Sequence, residues 1–487
     1  MKDTDRILVT GASGYIGGRL LARLVTRRNP IRAMARRTEG LEAKWSQDLE
    51  PVAADVLKPE TLVAAMQDVH TAYYLIHSMG EGGEFEARER ESAEAFSEAA
   101  KAAGVKRILY LGGLADEHTP LSPHMRSRLE TGRILRASGI PVLEFRASIV
   151  LGAGSLSFEM IRALVQRLPI MVTPRWVRVQ AQPIHVDDLL DYLEQGLTDR
   201  DDWAGVVEIG GAEVTSYQGI MDTYAEVRGL KRLHVPVPFL SPRVSSLWLG
   251  LVTPLFARIG KKLIQSILHP SVVRNPEGAK RFEVSPVGVR EAISRALEEE
   301  DQTCATTRWS DSLSAGNTHR TWAGVRFGTR LVDSRTLHIT APADVVFSTV
   351  ERIGGNQGWY FGTWLWYVRG AVDELLGGVG MRRGRKDPDV LHPGDVLDCW
   401  RVENVDRPRQ LRLRAEMKLP GRAWLEFEVT PLEPGGCTLR QTAVFDPMGL
   451  GGNLYWFGIY PVHAVIFRGM IRGIGKQATL DREEAAG

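Results

Sequence analysis

Arg6-Ile-Leu-Val-Thr10 runs directly into Gly11-Ala-Ser-Gly14-Tyr-Ile-Gly17, and apolar residues then recur at Leu20, Leu21, Leu24 and Val25. The first five residues read as a short strand rich in apolar and β-branched side chains, the last group as one face of a helix, and the glycines as the turn between them. A glycine spacing alone says little. Here it sits where a parallel β-α-β unit needs a tight turn, with backbone amides at a helix start facing a pyrophosphate. Gly11 and Gly14 permit the turn and the approach of a phosphate, and Gly17 lets helix and strand pack. Gly11, Ser13, Gly14, Tyr15, Ile16 and Gly17 are therefore the candidate cofactor contacts; the alternative is a glycine-rich turn that holds no ligand.

Outward from this turn, strands and helices alternate. Ile31-Arg-Ala-Met-Ala35, Pro51-Val-Ala-Ala54, Thr71 to Ile76 and Arg107 to Leu111 read as strands with helical segments between them. Val142 to Phe145 and Val206 to Ile209 extend the series around the loop Pro183-Ile-His-Val-Asp187-Asp188. Strands separated by helices predict an α/β fold with a doubly wound parallel sheet.

Thr10 to Gly17, the strand end at Asp55, Arg146-Ala-Ser-Ile-Val-Leu-Gly152 and Pro183 to Asp188 together resemble an atypical, extended-type short-chain dehydrogenase/reductase with an NAD(P)-binding Rossmann domain. The resemblance covers about residues 5 to 300. It is greatest to the branch that includes nucleotide-sensing regulators and an accessory subunit of respiratory complex I beside true reductases. It implies that Asp55 and Val56 sit at the adenine and the turn from Leu75 to Met79 along the nicotinamide. His185, in the second of these loops, reads as a supporting residue.

A Rossmann domain that prefers NAD usually carries an acidic residue about 20 positions beyond the glycines, bound to the ribose hydroxyls. Arg36 and Arg37 occupy that place. Two guanidiniums suit a 2′-phosphate and leave an NAD ribose without its acceptor, so NADP is the expected cofactor and NAD the lesser one. The alternative is a pair of arginines that merely solvate a turn.

The catalytic region departs from the family pattern of a Tyr-x-x-x-Lys pair and a serine. The matching segment is His124-Met-Arg-Ser-Arg128, and the serine position falls on Gly112 or Gly113. By this match His124 is the candidate to donate a hydrogen bond or a proton to the substrate oxygen, and Arg128 the candidate to hold the ribose. A neutral imidazole, the form expected near pH 7, can do the first. The competing reading of His124 is a surface residue at a helix start.

The 487 residues, 44% hydrophobic and 25% charged, exclude collagen-like, repetitive or wholly disordered chains. With 61 Lys and Arg against 59 Asp and Glu and no block of like charge, a dedicated nucleic-acid binder is not expected. Cys304, Cys399 and Cys437 are too scattered for a disulfide framework or a four-cysteine zinc site, which points to a reducing cytoplasm. No metal site is evident, and Lys2 to Arg6 lead into a short strand rather than a signal-peptide core. Met448 to Phe467 is an uncharged stretch about long enough for a bilayer, but Gly449, Gly451, Gly452, Gly458 and Pro461 interrupt it. Val244 to Leu268 carries Leu247, Trp248, Leu251, Leu255, Ile259 and Leu263 at helical intervals, followed by or beside Arg258, Lys261 and Lys262. It reads as a core helix or as one in peripheral contact with a membrane or an apolar substrate.

The expected domains are residues 1–302, a linker at 303–329 rich in Thr, Ser, Gly and Asn, and residues 330–487. Beyond Arg335 the pattern becomes strand, helix, successive strands over Asp395–Val405, Gln410–Lys418, Ala423–Thr430 and Thr438–Phe445, and a helix over about 462–480. This resembles the α+β helix-grip architecture of START-like and polyketide-cyclase domains. Its words Gly377-Gly-Val-Gly380, Leu419-Pro-Gly421 and Tyr455-Trp456 resemble an uncharacterised bacterial domain fused behind such dehydrogenases. The tryptophans after residue 320 either line an apolar cavity or fill a core. Two functions remain open: an NADP(H)-dependent oxidoreductase of an apolar carbonyl compound, which the second domain accepts or shields, and a non-catalytic NADPH-binding sensor or assembly module.

Overall fold

The computed structural model describes residues 4–38, 41, 49–77, 85–116, 121–198, 203–237, 269–302, 325–327, 330–380, 385, 387–432 and 435–486. The chain divides into two compact units, Met1–Thr318 and His319–Gly487. The segments expected as the 303–329 linker and as the 244–268 helix lie largely or wholly outside the described residues.

In the first unit seven strands form one parallel sheet: β1 (Arg6–Thr10), β2 (Ile31–Ala35), β3 (Glu50–Ala53), β4 (Val69–Tyr74), β5 (Arg107–Gly113), β6 (Val142–Ala147) and β7 (Gly205–Ile209). Their order is β7-β6-β5-β4-β1-β2-β3. The direction of winding reverses between β1 and β4, so a crevice opens beyond the carboxyl ends of these two strands. β2 and β6 are buried throughout, and β1 in all but its first residue; β1 reads as a continuous apolar run, whereas β2 and β6 also bury Arg32, Glu144 and Arg146. Helices cover both faces: α1 (Tyr15–Leu24), α2 (Pro59–Ala65), α3 (Phe85–Ala102), α4 (Pro123–Ala137), α5 (Leu156–Arg167), α6 (Val186–Thr198), α7 (Tyr217–Val227) and α8 (Val289–Gln302). α1 and α6 bury Leu20, Leu21, Leu24, Leu189, Leu190 and Leu193 against one face of the sheet. On the other face Tyr74, Phe96, Ala100, Ile108 and Leu135 pack together.

The second unit is an antiparallel sheet with helices. Its strands are β8 (Val325–Phe327), β9 (Arg330–Ile339), β10 (Val396–Leu397), β11 (Trp400–Asp406), β12 (Gln410–Ala415), β13 (Gly421–Leu432) and β14 (Gly436–Pro447), in the order β8-β9-β14-β13-β12-β11-β10. Helices α9 (Ala343–Glu351) and α10 (Thr363–Leu375) fall between β9 and β10, and α11 (Gly449–Ala486) ends the chain. α9 and α11 bury Val346, Phe347, Val350, Met470, Ile471 and Ile474 in a common core with Phe427 and Leu439. Trp359, Trp366 and Trp400 lie in this core with ring centroids 4.6 to 6.2 Å apart, so these three fill space against one another.

Three expectations are corrected here. The single strand expected over Asp395–Val405 is a tight hairpin, because Asp398 takes a left-handed backbone with φ 52° and folds β10 back on β11. α10 was not expected at all. The final helix begins at Gly449 rather than near Val462 and runs through Pro461, whose position is exposed, so the carbonyl that loses its partner meets solvent.

Candidate functional site

The glycine turn is built as a cradle. Gly11 has φ +66°, a left-handed conformation, and a Cβ there would lie 2.8 Å from the carbonyl oxygen of Leu75. A Cβ at Gly17 would fall 2.2 Å from the Gly11 carbonyl oxygen, so only glycine allows the first turn of α1 to close on the loop. Gly14 is the N-cap of α1, donates its amide to Gly11 O at 2.8 Å, and offers no side-chain cap to the helix start. The Thr10 hydroxyl donates to Tyr73 O at 2.8 Å and accepts from the Leu75 amide at 3.2 Å, which ties the ends of β1 and β4 together beside the turn.

Ser13 is exposed on this loop and Ile16 is half-buried behind it. Tyr15 turns inward. Its hydroxyl lies where a Cβ on Gly152 would be, 2.5 Å away, and the Arg19 guanidinium sits 4.9 Å from its ring centroid. Burial pushes the Tyr15 phenol well above its ordinary value, so it stays protonated. Arg36 and Arg37 follow β2 directly and are both exposed, at the carboxyl edge of the sheet that the glycine loop also occupies. Asp55 follows β3; its carboxylate accepts the Leu57 amide at 3.1 Å, and its own amide donates to Thr61 Oγ1 at 3.1 Å. Val56 is buried in the core beside Leu8, Met34 and Ala54.

α4 begins at Ser122, whose hydroxyl accepts the Met125 amide at 3.3 Å, with Pro123 in the first turn. This start sets His124 4.8 Å from His77 between ring centroids and 6.1 Å from the ring of Phe85. Arg128 donates to the Leu111 carbonyl at 2.9 Å, while its own carbonyl accepts the Tyr110 hydroxyl at 2.9 Å. Of the two glycines at the family's serine position, Gly113 faces α4, since a Cβ there would meet Met125 at 2.8 Å. Gly112 faces the Glu144 carboxylate at 3.2 Å.

One residue of this cluster escaped the sequence reading. Glu89, buried on α3, accepts from His77 Nδ1 at 2.9 Å and, in a short hydrogen bond, from the Ser127 hydroxyl. Burial alone would raise its pKa, but the hydrogen bond and charge of His77, the charge of Arg128 and the Ser127 hydroxyl outweigh it and hold the carboxyl at about 2. A signal was present: Phe85, Glu89, Ala93 and Phe96 recur at helical spacing, which places one carboxylate on the apolar stripe. His77 is the last described residue of the turn assigned to the nicotinamide side; 78 and 79 lie outside the described residues. His185 is buried and kept neutral by desolvation, its pKa pulled down to about 4. Among the described residues no group of three or more His, Cys, Asp and Glu could hold a metal.

Residues 3–244 match the model of the NmrA-like family. This part of the chain is an NmrA-like Rossmann domain. Residues 327–470 match a protein family of unknown function, DUF2867. No curated protein matches the chain. Among solved structures it is similar to the triphenylmethane reductase of a Citrobacter species, 22% identical over 60% of this chain and 99% of that one with a TM-score of 0.51. The same reductase complexed with NADP(H) is also similar, at 22% identity, 60% and 100% coverage and a TM-score of 0.50. A nucleoside-diphosphate-sugar epimerase of Staphylococcus aureus is 16% identical over 59% of this chain and 99% of that one, with a TM-score of 0.50. At these identities the likeness is one of fold alone, the Rossmann-like fold of the NmrA-like region.

Proposed function

We propose that the protein is an NADPH-dependent reductase of an apolar carbonyl compound. The observation that carries this reading is the exposed pair Arg36 and Arg37 at the end of β2, on the same sheet edge as a glycine turn that only unbranched backbone can form. The residues fit the cofactor: the amides of the Gly11–Gly17 loop and the start of α1 would take the pyrophosphate, and the two guanidiniums the 2′-phosphate. The citrobacterial reductase with the same fold was solved with NADP(H), which supports the choice. Bound NADPH would supply the hydride. His124 would donate to the carbonyl oxygen as charge develops on it, while the His77–Glu89 pair fixes the wall against which its ring lies. The second unit, with its strand, helix, antiparallel sheet and long final helix, supports a START-like reading as a ligand-holding domain.

The accessory-module reading is favoured by two observations: Arg128 donates to the Leu111 carbonyl, and the serine position is glycine. Purified protein decides between them. Titration should show NADPH bound at least about tenfold more tightly than NADH, or about 1.4 kcal/mol, and Arg36→Ala/Arg37→Ala should remove the preference. Equal affinities in the wild type would overturn the assignment. NADPH oxidation against apolar ketones, enones and quinones should find a substrate; NADPH binding without turnover would favour the module.

A further inference from the structure

Helices on a protein surface ordinarily turn apolar residues inward and charges outward. α10 does the reverse. Its exposed residues are Trp364, Tyr367, Val368, Ala371, Val372 and Leu375, one stripe at helical spacing, with Trp364 66% and Leu375 87% exposed. Its charges are drawn in: Asp373 is fully buried, and the Arg369 guanidinium turns to the Lys418 carbonyl at 3.5 Å.

The first half of α11 repeats the pattern. Leu450, Leu454, Phe457, Val462 and Val465 are exposed along one face, Leu454 at 74%, and Met448 to Phe467 contains no Asp, Glu, Lys or Arg. Continuing the same face, the exposed positions become Arg468, Arg472 and Lys476, none of which forms an ion pair among the described residues. The two helices meet at the base of this surface, where Phe361 packs on Gly469 and the Trp366 ring lies 6.3 Å from Phe467.

We propose that this face of the second unit docks on a lipid bilayer bearing anionic headgroups. The occupant follows from the order of residues. An uncharged stripe of roughly 20 Å, at 1.5 Å per residue, can sink its aliphatic and phenyl groups to the acyl boundary. Trp364 and Tyr367 suit the headgroup level, and three cations in line with the stripe meet lipid phosphates. No described helix is long and apolar enough to cross a membrane, so the geometry is that of a helix lying in the surface. The proposal goes beyond the reductase reading and does not depend on it.

The test is flotation of the full chain, without nucleotide, on vesicles of phosphatidylcholine alone and of phosphatidylcholine with phosphatidylglycerol. Binding should be stronger on the mixed vesicles and fall with salt. Leu375→Glu/Leu454→Glu/Val465→Glu, at positions too exposed to disturb folding, should weaken it at least about tenfold with an unchanged thermal midpoint. Arg468→Glu/Arg472→Glu/Lys476→Glu should remove the advantage of the anionic vesicles. Absence of binding to both vesicles, or binding that the apolar substitutions leave intact, overturns the proposal. So does a concentration-dependent dimer that these substitutions abolish while neither vesicle binds, which would make the face a contact between copies.

Discussion

At residue scale the glycine cradle has little tolerance. Gly17→Ala puts a methyl group against the Gly11 carbonyl, and backbone has to move. The expected cost is about 1–3 kcal/mol of stability together with loss of nucleotide binding, read from denaturant unfolding and an NADPH titration. Glu89 gives a pH signature. Its folded pKa of about 2 lies below the ordinary 4.5, so its contribution is complete above pH 4.5 and is lost as pH falls towards 2. That contribution is at most about 3 kcal/mol. Glu89→Gln should be less stable than wild type at pH 7, and the gap should narrow as pH is lowered below about 4.5; a gap independent of pH would show that the carboxylate charge contributes nothing. His124→Ala should lower turnover by about 10²-fold or more with NADPH binding retained, if a substrate is found.

At the scale of elements, the carboxyl end of α10 is anchored by a buried carboxylate. The Asp373 carboxylate accepts the amides of Lys418 at 2.7 Å and Gly380 at 2.9 Å, and a Cβ at Gly378 would collide with it. Asp373→Ala leaves the buried Gly380 amide and the part-buried Lys418 amide unpaired, and should destabilise the second unit by about 1–3 kcal/mol in a thermal or urea melt. The strands of the first unit were legible because a buried parallel strand is an unbroken apolar run, as in Ile7 to Val9. Glu89 was not, because its helix is dense in Glu and Arg and reads as solvated unless each residue is set on the wheel. α10 escaped for a different reason: periodicity reports that a helix has an apolar face, never whether that face looks inward. The start of α11 escaped because Gly451, Gly452, Gly458 and Pro461 carry low helix propensity, which the anchoring of Trp456 against Phe445, 5.5 Å between ring centroids, overrides.

At the scale of the whole molecule, the matched family models fall on either side of the division between the two compact units. Each unit has a core of its own, as an autonomously folding domain requires. Residues 1–302 produced alone should bind NADPH as the full chain does, and residues 330–487 alone should unfold in one cooperative transition; failure of the first fragment to bind would mean that the cradle depends on the second unit. Cys399, fully buried and with its thiol pushed up to about 12 by desolvation, should resist alkylation until that unit unfolds.

Arg19 on α1 is buried, donates to the Ala153 carbonyl at 3.0 Å and pairs with Glu299 of α8 at 2.6 Å. The helix that starts at the glycine cradle is thus completed by a residue made roughly 280 positions later, a delay on a ribosome of about 15 to 60 seconds. Throughout that interval the nascent chain carries a buried-to-be guanidinium without its carboxylate. A protein whose first-made helix waits for the last helix of its first unit cannot hold a nucleotide firmly until residue 299 has been made, and ribosome-stalled chains ending before it should be the ones that proteases and chaperones find.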